Sequence, residues 1–291
     1  MSHKNKLSLV GQVNAALSAR LAIGQSKHKD KRAGGTKDKI YSWETFRTYQ
    51  KHCNYFAAWA KQVHGCKTLE QARPYASEWL QDRTGQGLSP YTLKMERAAL
   101  GKLYGCSGAS LGDLPRRSRS AISRSRGAAV RDAHFSRARN SLLVAVGECA
   151  GLRRGEMRAL RGSQLVRCGG GYGILVDKGS KGGKVRVAPL VGPPAQVAQV
   201  VQACRSAGPE KVFPQGIHSG LDAHGLRAEY CRRVYTLHAR PRREVERAHD
   251  MYYCRGDLRG VWYDREAMLQ ASRALGHNRI SVIAQSYLYR V

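Results

Sequence analysis

Five side chains in the second half of the chain have the types and spacing needed to act on a phosphodiester. His224 and Arg227 are three residues apart, so they share one face of a predicted helix. Arg153 lies upstream, and Tyr287 follows His277 by ten residues (287 − 277). Metal-free cleavage of a phosphodiester requires a nucleophile, proton donors and acceptors, and fixed cations for the charge on the phosphate oxygens. Arginine suits the last task because its planar fork matches phosphate.

Other residues extend this set. Glu156 follows Arg153 by three residues, where its carboxylate could hold the guanidinium. Lys178 lies beside a predicted hairpin turn and could reach into a groove as a cation, with Lys181 and Lys184 as rivals for that role. Arg153, Lys178, His224, Arg227, His277 and Tyr287 together would cover every role that the cleavage requires.

The nucleophile has two candidates near the end of the sequence. Tyr287 repeats with Ile280 and Ile283 on one face of a predicted helix, which would anchor its ring. Tyr289 is the alternative, two residues later. We favour Tyr287 because of this apolar face.

Composition indicates the kind of partner. The chain of 291 residues has 50 Lys and Arg against 21 Asp and Glu, a net charge of +29, and 42% hydrophobic residues. Such a surplus favours a polyanion as partner. Nucleic acid is the leading candidate, and an acidic membrane surface is the alternative, although no apolar run reaches membrane-spanning length.

The eight cysteines include no CxxC pair, so a zinc finger and a metal site are not expected. With no signal peptide evident, we expect reduced thiols and a cytosolic protein.

The pattern predicts four segments. Residues 1–40 form a basic N-terminal arm with room for one helix, which could be a solvated tail or could follow a phosphate backbone. Residues 41–105 are a helical domain, with a capping box at Thr68 and Gln71 and a helix start at Ser89-Pro90. Residues 106–133 are a Ser/Arg-rich linker, and residues 134–291 a second domain.

The linker is basic enough to follow a DNA backbone, although a plain solvated tether would also fit. Its predicted DNA-binding residues are Arg116, Arg117, Arg119, Arg124 and Arg126.

The second domain combines helices with a hairpin. Ile174–Val176 and Lys184–Val187 flank a glycine-rich turn and predict two antiparallel strands. Helices are expected at 140–150, after Arg153, from Pro193-Pro194, over 224–238, and over 266–275, where Gly276 ends the last. Residues 240–264 fit no predicted element.

Four of these motifs occur in the order typical of a known family. Gly151-Leu152-Arg153-Arg154-Gly155-Glu156, Asp177-Lys178-Gly179-Ser180-Lys181, His224-Gly225-Leu226-Arg227 and Leu275-Gly276-His277 with a following tyrosine resemble the tyrosine recombinases, or phage integrases. Residues 41–105 resemble the core-binding domain of that family. The resemblance implies a mostly helical α+β fold: a helical, SAM-like core-binding domain and a mixed α/β catalytic domain with a small antiparallel sheet.

The resemblance also implies roles. Arg153 and Arg227 would bind the scissile phosphate, Lys178 would protonate the leaving oxygen, and His224 would act in acid/base chemistry. His277 would hydrogen-bond the phosphate, Glu156 would support the site, and Tyr287 would form a 3′-phosphotyrosyl bond. Because that bond conserves energy, neither ATP nor a metal nor another cofactor is implied.

The implied activity is site-specific DNA recombination that integrates or excises a mobile element. Double-stranded DNA would be the partner, bound by a homotetramer on two sites with accessory DNA-bending proteins, in a prokaryotic cytoplasm at the nucleoid. A catalytically idle DNA-binding relative and a type IB topoisomerase-like relaxing enzyme are the alternatives.

The sequence departs from the family pattern in three ways. Fifty residues separate Arg227 from His277 (277 − 227), which indicates an insertion at 240–264. The tyrosine lies one position later than the commonest spacing. Only four residues follow Tyr287 (291 − 287), which leaves an exchange of C-terminal helices between subunits open.

Overall fold

A computed structural model describes residues 7–36, 38–118, 134–178, 185–245, 247–277 and 279–288. The chain divides into two compact units, residues 1–117 and 118–291. No helix in these described ranges is both long and apolar enough to cross a membrane.

The first unit is a bundle of helices around one apolar core. Its α-helices are α1 (Leu9–Ser18), α2 (Lys27–Arg32), α3 (Trp43–His64), α4 (Leu69–Ala72), α5 (Ala76–Gly85) and α6 (Pro90–Tyr104), with 3-10 turns at Arg73–Tyr75 and Gly108–Leu111. Both expected helix starts form: Thr68 and Gln71 make a reciprocal capping box, and Ser89 accepts a hydrogen bond from the Thr92 backbone NH.

The N-terminal segment is part of this core. Leu9, Val13 and Leu17 recur every four residues along α1, and all three are buried in the cluster formed by the later helices. Burial of each such side chain stabilises the fold by roughly 1.5–3 kcal/mol. Helix α1 therefore packs as a helical layer of the first unit.

The second unit contains helices, a three-stranded sheet and a small two-stranded sheet. Its elements are α7 (Ser141–Ala150), α8 (Arg154–Ala159), β1 (Leu165–Cys168), β2 (Gly171–Val176), β3 (Arg186–Pro189), α9 (Pro194–Ala207), α10 (Ala223–His238), β4 (Met251–Tyr253), β5 (Trp262–Asp264), α11 (Arg265–Leu275) and α12 (Ser281–Ser286). Short 3-10 turns occur at Gly162–Gln164, Arg242–Glu244, Ala248–Asp250 and Gly256–Leu258.

The larger sheet is antiparallel in the order β1-β2-β3. The predicted hairpin is present, with Ile174 opposite Ala188 and Val176 opposite Arg186. Its glycine-rich turn, which includes Lys181, lies outside the described residues, as does Lys184 at the start of the second predicted strand. Strand β1 was not predicted, because its four residues are too few to show an alternating pattern.

Helix α10 lies between two apolar clusters of the second unit. Leu226 packs into the cluster of α7, α9 and the sheet, whereas Tyr230 and Val234 pack into the cluster of α11 and α12. The first turn of α10, with His224 and Arg227, is thereby held between the ends of α7 and α11.

The segment 240–264 is a compact structure on the second cluster. Arg240 binds Asp264 through its Nε atom at 2.8 Å and its NH2 group at 2.9 Å, which closes the base of the segment. Strands β4 and β5 pair within it, and Tyr263 belongs to the same apolar cluster as Tyr287 and Leu288. The hydroxyl of Tyr263 donates to the carbonyl oxygen of Leu288. The segment 240–264 therefore contacts the segment that carries the candidate nucleophile.

Candidate active site

Arg227 is the centre of the site. It lies one turn into α10, and only 2% of its surface is exposed. Its NH1 group donates to the carbonyl of Gly151, and its NH2 group to the carbonyl of Leu275. These carbonyls end α7 and α11, where helices leave acceptors without intrahelical partners. Arg227 forms no ion pair with any described residue, and burial lowers its pKa.

Gly151 allows this arrangement. It ends α7 in the left-handed conformation, with φ of 58°, and a Cβ atom there would overlap the ring of Tyr230. A side chain at this position would therefore displace the carbonyl that holds Arg227.

Tyr287 lies directly against Arg227. The Nε atom of Arg227 is 3.1 Å from the Tyr287 hydroxyl and donates to it. Tyr287 is the residue after α12, and its backbone NH still bonds to the Ile283 carbonyl at 3.0 Å. Ile283 is fully buried and Tyr287 is 5% exposed, so the apolar face expected from the sequence anchors the ring. Tyr289 lies outside the described residues.

His277 completes the hydrogen bonding of the tyrosine. Its Nε2 atom is 3.2 Å from the Tyr287 hydroxyl and 3.3 Å from Arg227 NH2. Burial, together with the charges of Arg227, Arg153 and Arg186, lowers the pKa of His277 to about 4. The ring is therefore neutral at neutral pH, and its Nε2 atom serves as an acceptor, since the guanidinium can only donate.

His224 also lies beside the tyrosine ring. The two ring centroids are 5.1 Å apart, and His224 is exposed. It makes no hydrogen bond to Tyr287 or Arg227. Helix α10 begins at Asp222, which accepts from the Gly225 backbone NH at 2.8 Å and so fixes the turn that carries His224.

Arg153 and Glu156 form a second part of the site, next to the first. Arg153 NH1 donates to Glu156 at 2.7 Å, and the Arg153 backbone NH donates to the same carboxylate at 2.8 Å. The Arg153 side chain is 30% exposed. Its Nε and NH2 groups make no hydrogen bond with any described residue. Both groups are therefore free to donate to an anion.

Arg186 is a member of the cluster that the sequence did not single out. Its guanidinium makes two hydrogen bonds to Glu156, at 2.9 and 2.7 Å, and its Nε atom donates to Ala274 O at 3.0 Å. The alternation Val185-Arg186-Val187 favours buried valines, but Val185 is 58% and Val187 38% exposed while Arg186 is 8% exposed. The only signal in the sequence was a lone arginine between two strand residues.

Glu156 is ionised in this setting. Burial raises the pKa of its carboxyl, but hydrogen bonds from Arg186 and Arg153 outweigh burial and lower the pKa to about 2. Two guanidiniums around one carboxylate leave this part of the site with a net positive charge.

The remaining candidates are not in the cluster. Lys178 follows β2, is exposed, and makes no hydrogen bond or ion pair with a described residue. Arg116 and Arg117 are exposed at the end of the first unit, where Arg117 lies 5.4 Å from the Tyr91 ring. Arg119, Arg124 and Arg126 lie outside the described residues.

The cluster can bind an anion beside a hydroxyl nucleophile. The Arg227 guanidinium donates to a tyrosine hydroxyl that is also hydrogen-bonded to a neutral imidazole, and the charges of Arg153 and Arg186 act on the same imidazole. In the described ranges, no three His, Cys, Asp or Glu side chains converge as a metal site requires.

Comparison with known proteins identifies solved structures with a similar fold. No protein-family model matches the sequence, and no curated protein matches it. Among solved structures, the chain is similar to the XerH site-specific recombinase bound to palindromic difH substrate in a post-cleavage complex. The TM-score is 0.52 and the identity 16%, over 99% of this chain and 96% of the XerH chain.

A second XerH structure, a pre-cleavage complex with difH, gives a TM-score of 0.48 at 15% identity, over 96% of this chain and 92% of the other. The Tn1549 transposon integrase in complex with circular intermediate DNA gives 0.46 at 12% identity, over 96% of each chain. XerH and the Tn1549 integrase are tyrosine recombinases. The similarity to the XerH post-cleavage structure shows that this chain has the tyrosine recombinase fold. The expected fold class, a mostly helical α+β protein with a small antiparallel sheet, is thereby confirmed.

Proposed function

We propose that this protein is a site-specific DNA recombinase that cleaves and rejoins DNA through a 3′-phosphotyrosyl intermediate. The observation that carries the proposal is the position of the Tyr287 hydroxyl, hydrogen-bonded to both the buried cation Arg227 and the neutral ring of His277. A buried guanidinium without a carboxylate partner among the described residues is costly, and such groups concentrate where an anion binds.

In the proposed reaction, the Tyr287 oxygen attacks the scissile phosphorus. A bond forms between this oxygen and phosphorus, and the bond from phosphorus to the 5′ oxygen breaks. The neutral ring of His277, whose Nε2 atom is 3.2 Å from the hydroxyl, orients it and takes its proton as the bond to phosphorus forms. Arg227 and Arg153 stabilise the charge on the non-bridging oxygens, which is greatest in the transition state.

The leaving 5′ oxygen needs a proton, and two side chains are candidates. Lys178 is exposed and unpaired among the described residues at the end of β2, which leaves it free to approach bound DNA. His224 is exposed beside the tyrosine ring. We assign the proton to Lys178 and a supporting acid/base role to His224. Rejoining is the reverse reaction, in which a 5′ hydroxyl attacks the phosphotyrosyl bond.

Double-stranded DNA is the proposed substrate, and the net charge of +29 supports it. Strand exchange between two duplexes cuts four strands. Because each chain has one site, the proposed active assembly is a homotetramer on two DNA sites. The proposed biological role is the integration or excision of a mobile element.

The test uses the DNA that flanks the protein's own gene as substrate. Wild-type protein is incubated with fragments of this DNA, denatured in SDS, and the fragments that remain attached to protein are sequenced. We expect attachment at one short sequence, through the 3′ end of the cut strand. Specific binding without attachment would identify an idle DNA-binding relative. Attachment and supercoil relaxation without joined products would identify a relaxing enzyme.

A further inference from the structure

Arg186 lies between three of the sequence motifs, although none of them contains it. It is the first residue of β3, and its side chain is 5% exposed. It contacts Glu156 through two hydrogen bonds and the end of α11 through one. Three of its five N–H groups are used in this way, all on partners that belong to the site.

The first contact controls the charge of Arg153. A carboxylate that faced Arg153 alone would neutralise it and hold its guanidinium away from any other anion. Here the fork of Arg186 pairs with both oxygens of Glu156, the strongest geometry for such a pair. Of the Arg153 guanidinium, only the NH1 group binds the carboxylate. The cluster of Arg153, Glu156 and Arg186 therefore retains one positive charge.

The second contact fixes the turn before His277. The Nε atom of Arg186 donates to Ala274 O at 3.0 Å. The next carbonyl, that of Leu275, accepts from Arg227. Gly276 then turns the chain with φ of 69°, and a Cβ atom at this position would lie 2.7 Å from the Cδ atom of Arg186. The arginine side chain thus packs against the turn that sets the position of His277.

The strand itself links Arg186 to Lys178. Arg186 pairs with Val176 in the register of β2 and β3, and Lys178 follows Val176 by two residues (178 − 176). The hydrogen bonds of Arg186 therefore also anchor the end of the hairpin from which Lys178 extends.

We propose that Arg186 is a positioning residue for DNA cleavage, which neutralises Glu156 so that Arg153 keeps its charge for the phosphate and which fixes the turn that carries His277. The inference rests on the proposed function and adds Arg186 to the residues that support the proposed catalytic site. Arg186 itself does not touch the phosphate, because its fork is occupied by Glu156.

The central experiment compares single-turnover cleavage of a nicked duplex by four proteins: wild type, Arg186→Met, Glu156→Gln with Arg186→Met, and Arg233→Met. Methionine keeps the apolar stem and removes the charge. Misplacement of catalytic groups costs on the order of 10²-fold in rate, so we expect Arg186→Met to cleave about 10²-fold more slowly with DNA affinity nearly unchanged. Arg233→Met is the matched control, because it removes a part-buried arginine that pairs with Glu148 and Glu229 in the same unit.

The double variant separates positioning from direct contact. In Arg186→Met, the Glu156 carboxylate pairs with Arg153 alone and neutralises it. Glu156→Gln removes that carboxylate, so the positive charge of Arg153 should again be available to the phosphate. We expect the double variant to cleave about 10-fold faster than Arg186→Met, which leaves about 10-fold of the roughly 10²-fold loss. If Arg186 contacted the phosphate, the second substitution would restore nothing. No recovery would therefore overturn the inference.

The pH dependence of the cleavage rate gives an independent readout, because the rate should fall on the acid side (the acid limb) as His277 becomes protonated. The charged and titratable groups around His277 are Arg153, Glu156, Arg186, His224, Arg227 and Tyr287. The charge of Arg186 helps to lower the pKa of His277. Its removal should move the acid limb to higher pH, and Glu156→Gln should move it back.

The outcomes are separable from those of the proposed function. Wild-type protein that forms no adduct would overturn the proposed function and this inference with it. Wild-type protein that forms the adduct, with Arg186→Met equally fast, would overturn the inference alone. A rate lost equally in Arg186→Met and Arg233→Met would show a general effect on folding and also overturn it.

Discussion

Arg153 and Arg227 have similar proposed roles but different structural surroundings. Arg227 holds two helix-end carbonyls, whereas Arg153 is part-exposed and bonded to Glu156 alone. We expect alanine at either position to slow cleavage by about 10²–10³. Only Arg227→Ala should also destabilise the fold strongly, since each carbonyl left without a donor costs about 1–3 kcal/mol. Single-turnover rates and denaturant unfolding measure the two effects. Equal stability of the two variants would contradict the assignment.

The low pKa of His277 predicts a pH-dependent stability. The ordinary value of 6.5 falls to about 4 in the folded protein. Between these two values His277 binds more protons in the unfolded chain than in the folded protein. The stability that His277 contributes is therefore lost as pH falls from 6.5 to about 4, and it is constant above this window. The stability that Glu156 and Asp264 contribute is lost only at lower pH, as the pH falls from their ordinary pKa values of 4.5 and 3.8 to about 2.

The measurement is the change in Tm between pH 7 and pH 5. We expect His277→Asn to show a smaller decrease than wild type. His249→Asn, in which the replaced side chain is 70% exposed, serves as the control and should behave as wild type. An unchanged decrease in the His277 variant would show that the ring is not buried as described.

For single residues, the sequence pointed to polar groups that lie close together both in the chain and in space. Arg153 with Glu156, and His277 with Tyr287, are near one another in the chain and in space. Arg186 could not be identified, because its partners lie 30 and 88 residues away. Their proximity depends on how β3 packs against α8 and α11, which no local pattern encodes.

Among the elements, the segment 240–264 has the clearest consequence for the site. Tyr263 donates to the carbonyl of Leu288, the residue that follows Tyr287. We expect Tyr263→Phe to slow cleavage about 10-fold with DNA affinity unchanged, because the tyrosine segment is then held less firmly. Tyr253→Phe is the matched control, since Tyr253 is on the paired strand β4 but is 57% exposed. Equal rates for both variants would contradict a role for the segment 240–264 in placing Tyr287.

The sequence predicted most helices and the hairpin because their caps and periods are local. Gly151, Gly276 and Ser89 mark helix ends where the structure has them. No element could be predicted for the segment 240–264, because its strands have three residues each. Its stability depends on the Arg240–Asp264 pair and on α11. A pair that spans 24 residues (264 − 240) gives no periodic signal.

For the whole molecule, the excess of positive charge predicts salt-sensitive DNA binding. Each phosphate that the protein neutralises should add about −0.9 to the slope of log affinity against log salt. Replacing Arg116, Arg117, Arg119, Arg124 and Arg126 by glutamine should make the slope shallower by about 0.9 for each phosphate that is no longer neutralised. Lysine at the same positions keeps the charge and should preserve the slope. A slope that is flat in wild type would contradict nucleic-acid binding.

The central claim is that Tyr287 forms the covalent bond to DNA. The direct measurement is mass spectrometry of the peptide that carries the nucleotide, after wild-type protein has cleaved a nicked duplex whose short 5′ fragment diffuses away. We predict the nucleotide on Tyr287, an SDS-resistant adduct with Tyr289→Phe, and none with Tyr287→Phe although this variant binds the duplex. A nucleotide on Tyr289, or an adduct with Tyr287→Phe, would contradict the account.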